Sequence, residues 1–200
     1  DFRNDTVLGT AGGDFTVEFW VRRPVTTGTQ VIVARNDTDN DSEWYLRFEG
    51  ANFNFWNGSD HATAHGMSAD TWYHIAIVRK EHALKIYKDG TELGGNTSFT
   101  DAYDYDSGKG FEIGHRLSGG SVTQFLNGFV EDIRVTKGLA VYTGAFTKPS
   151  GPLTTTWTQT GSGTPTSNGG YTSLTNVATN SDASKVKLLL HGDGGKFTDS

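Results

Sequence analysis

From Asp14 to Arg22 the chain alternates: Phe15, Val17, Phe19 and Val21 are apolar, and Thr16, Glu18, Trp20 and Arg22 stand between them. Neighbouring side chains of an extended strand point to opposite faces, so this period of two predicts a half-buried strand. Similar short runs follow at Gln30–Arg35, Glu43–Glu49, Asn52–Trp56, Thr71–Arg79, Leu84–Lys88, Gly110–Gly114 and Gly128–Thr136. Clusters of Gly, Asn, Asp and Ser separate them, a cadence that predicts an antiparallel all-β sandwich. Trp72–Val78 is apolar at nearly every position, which suits a central strand covered on both faces. Asp89-Gly90 sits between apolar runs as a hairpin turn that requires positive φ. No apolar stripe of period 3.6 has useful length, so helices are expected to be nearly absent.

Past Pro152 the texture changes. Thr154–Ser184 is rich in Thr, Ser, Asn and Gly, with Trp157, Tyr171, Leu174 and Val177 as scattered apolar anchors, and reads as an extended connector. A strong strand then returns at Lys185–His191, carrying Val186, Leu188, Leu189 and Leu190. A single strand so rich in Leu cannot stand alone. The expected organisation is therefore a sandwich over 1–152, a polar connector over 153–184, and a strand over 185–200. That strand completes its own sandwich or, by strand addition, that of the next repeat or subunit.

Composition narrows the picture. The 200 residues suffice for one sandwich plus a tail, and aromatics at 12% within an apolar content of 34% imply an aromatic-rich core. Trp44, Trp20 and Trp72 are assigned to that core or to the strand faces. A formal charge of −6 argues against nucleic acid, whose backbone calls for clustered Lys and Arg. With no Cys there are neither disulfides nor thiolate metal sites, and the redox compartment is not legible. No apolar run reaches the roughly 18 residues that span a bilayer, so membrane insertion is not expected. The opening residues Asp-Phe-Arg-Asn-Asp resemble no signal peptide, so export is expected to use a signal outside this stretch or another route such as virion assembly.

Three groups of side chains carry candidate chemistry. Asp37, Asp39, Asp41 and Glu43 lie in a loop dense in the hard oxygen donors that Ca²⁺ takes, although a solvated polar turn is the plainer account. Asp101, Asp104 and Asp106 form a second acidic patch with the same two readings. Trp56, Tyr103 and Tyr105 stand beside polar loops, where an aromatic face can stack on the apolar face of a sugar; core packing is the competing reading. The His residues are scattered, and the His61/His65 spacing would suit zinc only on a helix. His74 and His191 are read as structural.

Several stretches resemble the laminin-G-like or concanavalin-A-like jelly rolls, especially those of bacteriophage virion proteins (tail, fibre, decoration) and bacterial surface proteins. They are G-D-F-T-V-E-F-W-V at Gly13–Val21, T-W-Y-H-I-A-I-V-R at Thr71–Arg79, L-K-I-Y-K-D-G at Leu84–Gly90 and L-N-G-F-V-E-D-I-R-V-T-K-G at Leu126–Gly138. V-Y-T-G-A-F-T-K-P at Val141–Pro149 is similar to the closing segment of such domains in phage proteins. The resemblance implies that a strand like L-L-L-H-G-D-G should open the domain. Here it stands near the other end, at Leu188–Gly194, as though the chain were permuted or cut from a tandem array.

Glucanase relatives of this fold carry Glu-x-Asp-x-Glu, which sets alternate carboxylates on one strand face about 5 Å apart. The triplet is missing here, and Glu131-Asp132, being adjacent, should point to opposite faces. A non-enzymatic module is therefore expected: an assembly element of a phage virion with a possible host-glycan contact, or a lectin-like adhesin or filament subunit on a bacterial surface. Its expected partners are copies of itself or other virion or surface proteins, and glycans.

Overall fold

The computed structural model describes residues 14–36, 44–56, 58–96, 110–119, 121–155, 157–159, 178–180, 186–193 and 196–199. The strands in chain order are β1 (Phe15–Arg22), β2 (Thr29–Asn36), β3 (Trp44–Glu49), β4 (Asn52–Trp56), β5 (Asp60–Ala64), β6 (Tyr73–Lys80), β7 (Ala83–Lys88) and β8 (Thr91–Asn96). They continue as β9 (Gly110–Ile113), β10 (Arg116–Ser118), β11 (Ser121–Thr123), β12 (Phe129–Lys137), β13 (Trp157–Gln159), β14 (Ala178–Asn180), β15 (Val186–Asp193) and β16 (Lys196–Asp199). One sheet runs β16-β15-β12-β1-β6-β7-β8 and the other β5-β4-β3-β2-β9, all pairs antiparallel. This is the antiparallel sandwich that the periodicity predicts, in the jelly-roll form that the resemblance implies, and no helix occurs among the described residues. None is therefore long and apolar enough there to cross a membrane.

The core lies between the sheets. Phe15, Val17, Phe19 and Val21 of β1 meet Trp44, Leu46, Phe48, Phe53 and Phe55 of the opposite sheet, joined by Ile75, Ile77, Ile86, Ile133 and Val135. Trp44 is fully buried there, as expected. The Asp89-Gly90 hairpin turn has φ of 49° and 81°, the positive values that its sequence predicts. At the sandwich's side, the Thr63 hydroxyl of β5 donates to the Leu93 carbonyl of β8 at 3.0 Å, tying together the edge strands of the two sheets.

The other face of β1 departs from expectation. Thr16 and Glu18 are as buried as the apolar residues between them. The reason is a strap over residues 139–146, inside the segment that resembles phage closing sequences. Ala140, Val141, Tyr142 and Phe146 lie on Ala76, Val78 and Tyr87, forming a second apolar layer outside the seven-stranded sheet. The strap is pinned by backbone groups: Val141 N–H donates to the Thr16 hydroxyl at 2.9 Å, and Phe146 N–H to the Gly90 carbonyl at 3.0 Å. The seven-stranded sheet thus has both faces covered, as the apolar run of β6 predicts and the alternation of β1 does not.

β15 pairs with β12 of the same chain, with Leu188 opposite Val135, Leu189 opposite Arg134 and Leu190 opposite Ile133. β16 then pairs with β15. Within the stretch read as a connector, β13 and β14 pair as a separate two-stranded ribbon.

Candidate functional site

The outer face of the five-stranded sheet carries a polar and aromatic platform. Its membership follows from register: Tyr45, Arg47 and Glu49 alternate on β3, and they stand opposite Trp56, Asn54 and Asn52 of β4, while Asp60 of β5 stands opposite Trp56. The Trp56 and Tyr45 rings stack with centroids 5.0 Å apart and planes 9° from parallel. The Arg116 guanidinium sits 4.8 Å from the Tyr45 centroid, extending the stack at its other end.

Arg47 organises the polar half. It donates through Nη1 to the Tyr45 hydroxyl at 2.9 Å and through Nη2 to Glu49 Oε2 at 2.7 Å and Asp60 Oδ1 at 3.2 Å. Asn54 Nδ2 donates to the same two carboxylates at 3.2 and 3.0 Å, and its Oδ1 accepts from the His61 N–H at 3.1 Å. Glu49 and Asp60 are about half exposed, so their remaining lone pairs face solvent. Burial raises the Tyr45 phenol above its ordinary range, opposed by the charges of Arg47 and Arg116, so it stays a neutral hydroxyl. Tyr45 and Asn54 are themselves buried, so what the platform offers to solvent is the partly buried Trp56 ring, backed by Tyr45, beside the half-exposed Glu49 and Asp60 carboxylates.

A second arrangement occupies the outer face of the seven-stranded sheet, past the end of the strap. Between Glu18 and Trp20 the β1–β12 register shifts, so that Phe19 faces both Asp132 and Ile133. Asp132, at φ of 50°, supplies the extra residue of this β-bulge, a conformation that Asp tolerates better than most residues. The bulge overturns the expectation that Glu131 and Asp132 face apart: both line one cleft of about 460 Å³, with Trp20, Lys148, Pro149, Ser150, Gly151 and Pro152. Sequence alternation alone does not reveal it, because one inserted residue resets the period.

Beneath this cleft lies a buried ionic cluster. Arg134 donates from Nε and Nη2 to Glu18 Oε1, and Tyr142 Oη donates to Glu18 Oε2 at 2.7 Å. His74 Nε2 lies 3.1 Å from that same oxygen while its Nδ1 has no partner, which assigns the ring proton to Nε2. Burial pushes the Glu18 carboxyl up, but the Arg134 charge and the His74 and Tyr142 hydrogen bonds outweigh it and hold it at about 2. Burial, reinforced by Glu18, holds the Tyr142 phenol far above its usual range. His74 is thus structural, as read from the sequence, and its ring also meets Trp20 edge-on at 5.5 Å.

Of the predicted site residues, Trp56 lies on the platform. Asp37, Asp39, Asp41, Glu43, Tyr103 and Tyr105, with the second acidic patch, fall outside the described residues. Val186, Leu188, Leu189 and Leu190 are in β15, paired within the chain. His61 belongs to strand β5, and the His65 Nδ1 accepts from Met67 N–H at 2.9 Å, a backbone contact rather than a metal-ligand arrangement. Sequence reading missed Tyr45, Arg47, Asn54 and Asp60, whose shared face depends on the register of three strands.

A model of the family described as the concanavalin A-like lectin/glucanases superfamily matches residues 2–141. No curated protein matches the sequence. Among solved structures the fold resembles a Bacteroides ovatus protein described by name as carbohydrate binding, at TM-score 0.53 and 19% identity over 66% of this chain and 39% of that one. It also resembles the heptameric SAP-like pentraxin of Limulus polyphemus, at TM-score 0.51 and 17% identity over 69% and 67% of the two chains. A third is the CBM40 module of a Ruminococcus gnavus sialidase, bound to α2,3-sialyllactose, at TM-score 0.53 and 11% identity over 62% and 76%. The chain therefore spans well under half of the Bacteroides protein. Likeness at these identities is a likeness of fold.

Proposed function

Because the chain belongs to the concanavalin A-like lectin/glucanases superfamily, we propose that it is a non-catalytic, glycan-binding module of a virion or related extracellular assembly, with the sugar held on the Trp56 platform. The observation that carries this reading is the Trp56–Tyr45 stack set beside Arg47, Asn54, Glu49 and Asp60. Pyranose rings have an apolar C–H face that packs on an indole, and equatorial hydroxyls that bond carboxylates such as those of Glu49 and Asp60. The capture of sialyllactose by a neighbour of the same fold supports this use of the scaffold.

The virion setting rests on Val141–Pro149, whose resemblance to phage closing segments is joined by its role as the strap. A lectin-like adhesin on a bacterial surface would use the same platform. Pairing of β15 within its own chain favours a self-contained module over strand donation in either setting. Against glycoside hydrolysis stands the absence of Glu-x-Asp-x-Glu, now that the bulge removes the argument from opposed faces.

A glycan array probed with the wild-type chain and with Trp56→Ala tests the reading. Trp56 is only partly buried, so the variant keeps its fold, and loss of the stack is expected to weaken every bound glycan at least about tenfold. Equal binding by the variant, or no glycan bound by either protein, overturns it.

A further inference from the structure

We propose that the Trp56 platform selects uncharged, hydroxyl-rich sugars and turns away acidic ones, those carrying a carboxylate or a sulfate; this rests on the reading of the platform as a glycan site. The inference comes from which of its hydrogen-bonding groups are already engaged. The Arg47 side chain is 12% exposed and Asn54 1%, against 47% for the side chain of Glu49 and 52% for that of Asp60. Both Arg47 Nη atoms donate within the platform, to Tyr45, Glu49 and Asp60, and its Nε is buried. The Asn54 amide donates to the same two carboxylates, and its oxygen accepts from the His61 N–H. These donors are thus turned onto the platform's own carboxylates, and a ligand meets the outward lone pairs of Glu49 and Asp60.

The balance of charge points the same way. Two carboxylates share the one Arg47 guanidinium, which leaves an excess of negative charge beside the indole. Arg116, a second cation of this face, lies 4.8 Å from the Tyr45 centroid on the side away from Trp56, and its Nη2 donates to the Ser118 hydroxyl at 3.3 Å. The Tyr45 ring therefore stands between that guanidinium and a sugar on Trp56. Asn52, across from Glu49, and Ala62 and Ala64 of β5 continue the surface with an amide and two methyl groups, none of them charged. A sugar hydroxyl donates to a carboxylate in a strong, charge-assisted bond. An ionised carboxylate or sulfate has no proton to give there, leaves the acceptors unpaired, and meets a like-charge repulsion that water and salt reduce without abolishing.

The test sets neutral glycans beside their sialylated, uronic-acid and sulfated counterparts on an array, and follows each pair that gives a signal by calorimetry with the full chain. At low salt the neutral member is expected to bind at least about tenfold more tightly than the acidic one. In about 0.5 M NaCl that gap should narrow while the neutral affinity holds. Asp60→Asn and Glu49→Gln keep the size of the side chain, and each is expected to weaken neutral binding by about fivefold and to shrink the gap. Both side chains are about half exposed, so neither variant threatens the fold. Equal or tighter binding of the acidic members, still lost in Trp56→Ala, overturns the selectivity and leaves the platform standing as a glycan site. An unchanged gap in both carboxylate variants does the same. Silence from every glycan overturns the platform reading and the selectivity together.

Discussion

Glu18→Gln is expected to lower the melting temperature by roughly 6–20 °C at neutral pH, because breaking a buried ion pair costs about 3–5 kcal/mol and each kcal/mol moves a domain of this size by about 2–4 °C. The substitution keeps the volume of the side chain and removes its charge. Arg134 then loses the buried carboxylate to which its Nε and Nη2 donate, and the Tyr142 hydroxyl that ties the strap to the sheet loses its charged acceptor. Pairing Glu18→Leu with Arg134→Met should recover only part of the loss, since desolvation of the ion pair no longer has to be repaid but the buried His74 ring and Tyr142 hydroxyl lose their acceptor. Thermal melts of the single and double variants measure this, and a single variant within about 2 °C of wild type would show that the cluster is not an energetic linchpin.

The same carboxylate sets the response to acid. Its folded pKa of about 2 lies below the ordinary 4.5. A depressed carboxylate stabilises the fold fully above its unfolded pKa and loses that contribution as pH falls through the folded one. The window therefore runs from about pH 4.5 down to about 2, with a contribution on the order of 3 kcal/mol. Denaturant midpoints across that range should fall steeply for wild type and much less for the Glu18→Gln variant.

The strap depends equally on Gly90. Its φ is 81°, and a Cβ there would sit 1.7 Å from the carbonyl oxygen of Phe146, so Gly90→Ala cannot be accommodated with the strap in place. Gly138, at φ of 71°, would meet nothing within 4 Å. Gly138→Ala thus bears the left-handed backbone cost alone, about 1–2 kcal/mol. Gly90→Ala bears that cost and also releases Phe146, whose burial is worth about 1.5–3 kcal/mol, with the neighbouring strap residues. Faster proteolysis within 139–150 for Gly90→Ala, and not for Gly138→Ala, is the expected signature. Equal behaviour of the two variants would mean that the strap does not need its close approach at Gly90.

These effects explain which parts of the molecule were legible in the sequence. The alternation of Phe15–Val21, the apolar run of Tyr73–Val78 and the Asp89-Gly90 turn are local patterns with local causes, and they placed β1, β6 and the β7–β8 hairpin. Glu18 looked like an outward polar residue because what covers it comes from more than a hundred positions away, in a strap that has no periodicity of its own. Asp132 broke the period silently, since Asp carries no unique mark of a bulge. β5, with the sequence Asp60-His61-Ala62-Thr63-Ala64, has too little apolar contrast to announce a strand and is held by pairing with β4. Trp56 was legible as a candidate, yet its partners Arg47 and Asp60 become neighbours only through register.

The bond between Thr63 and Leu93 bears on how copies could meet. At that flank the two sheets turn their edges toward each other, which denies an incoming strand a free ladder. In the two main sheets, β9 and β16 are the remaining edges among the described strands, and both belong to the other flank. A body with one adhesive side can pair with a twin across a two-fold axis, but it has no second side from which to continue. If copies pair through the described edges of the two main sheets, a closed dimer is the expected product, and a fibre would have to grow through some other contact.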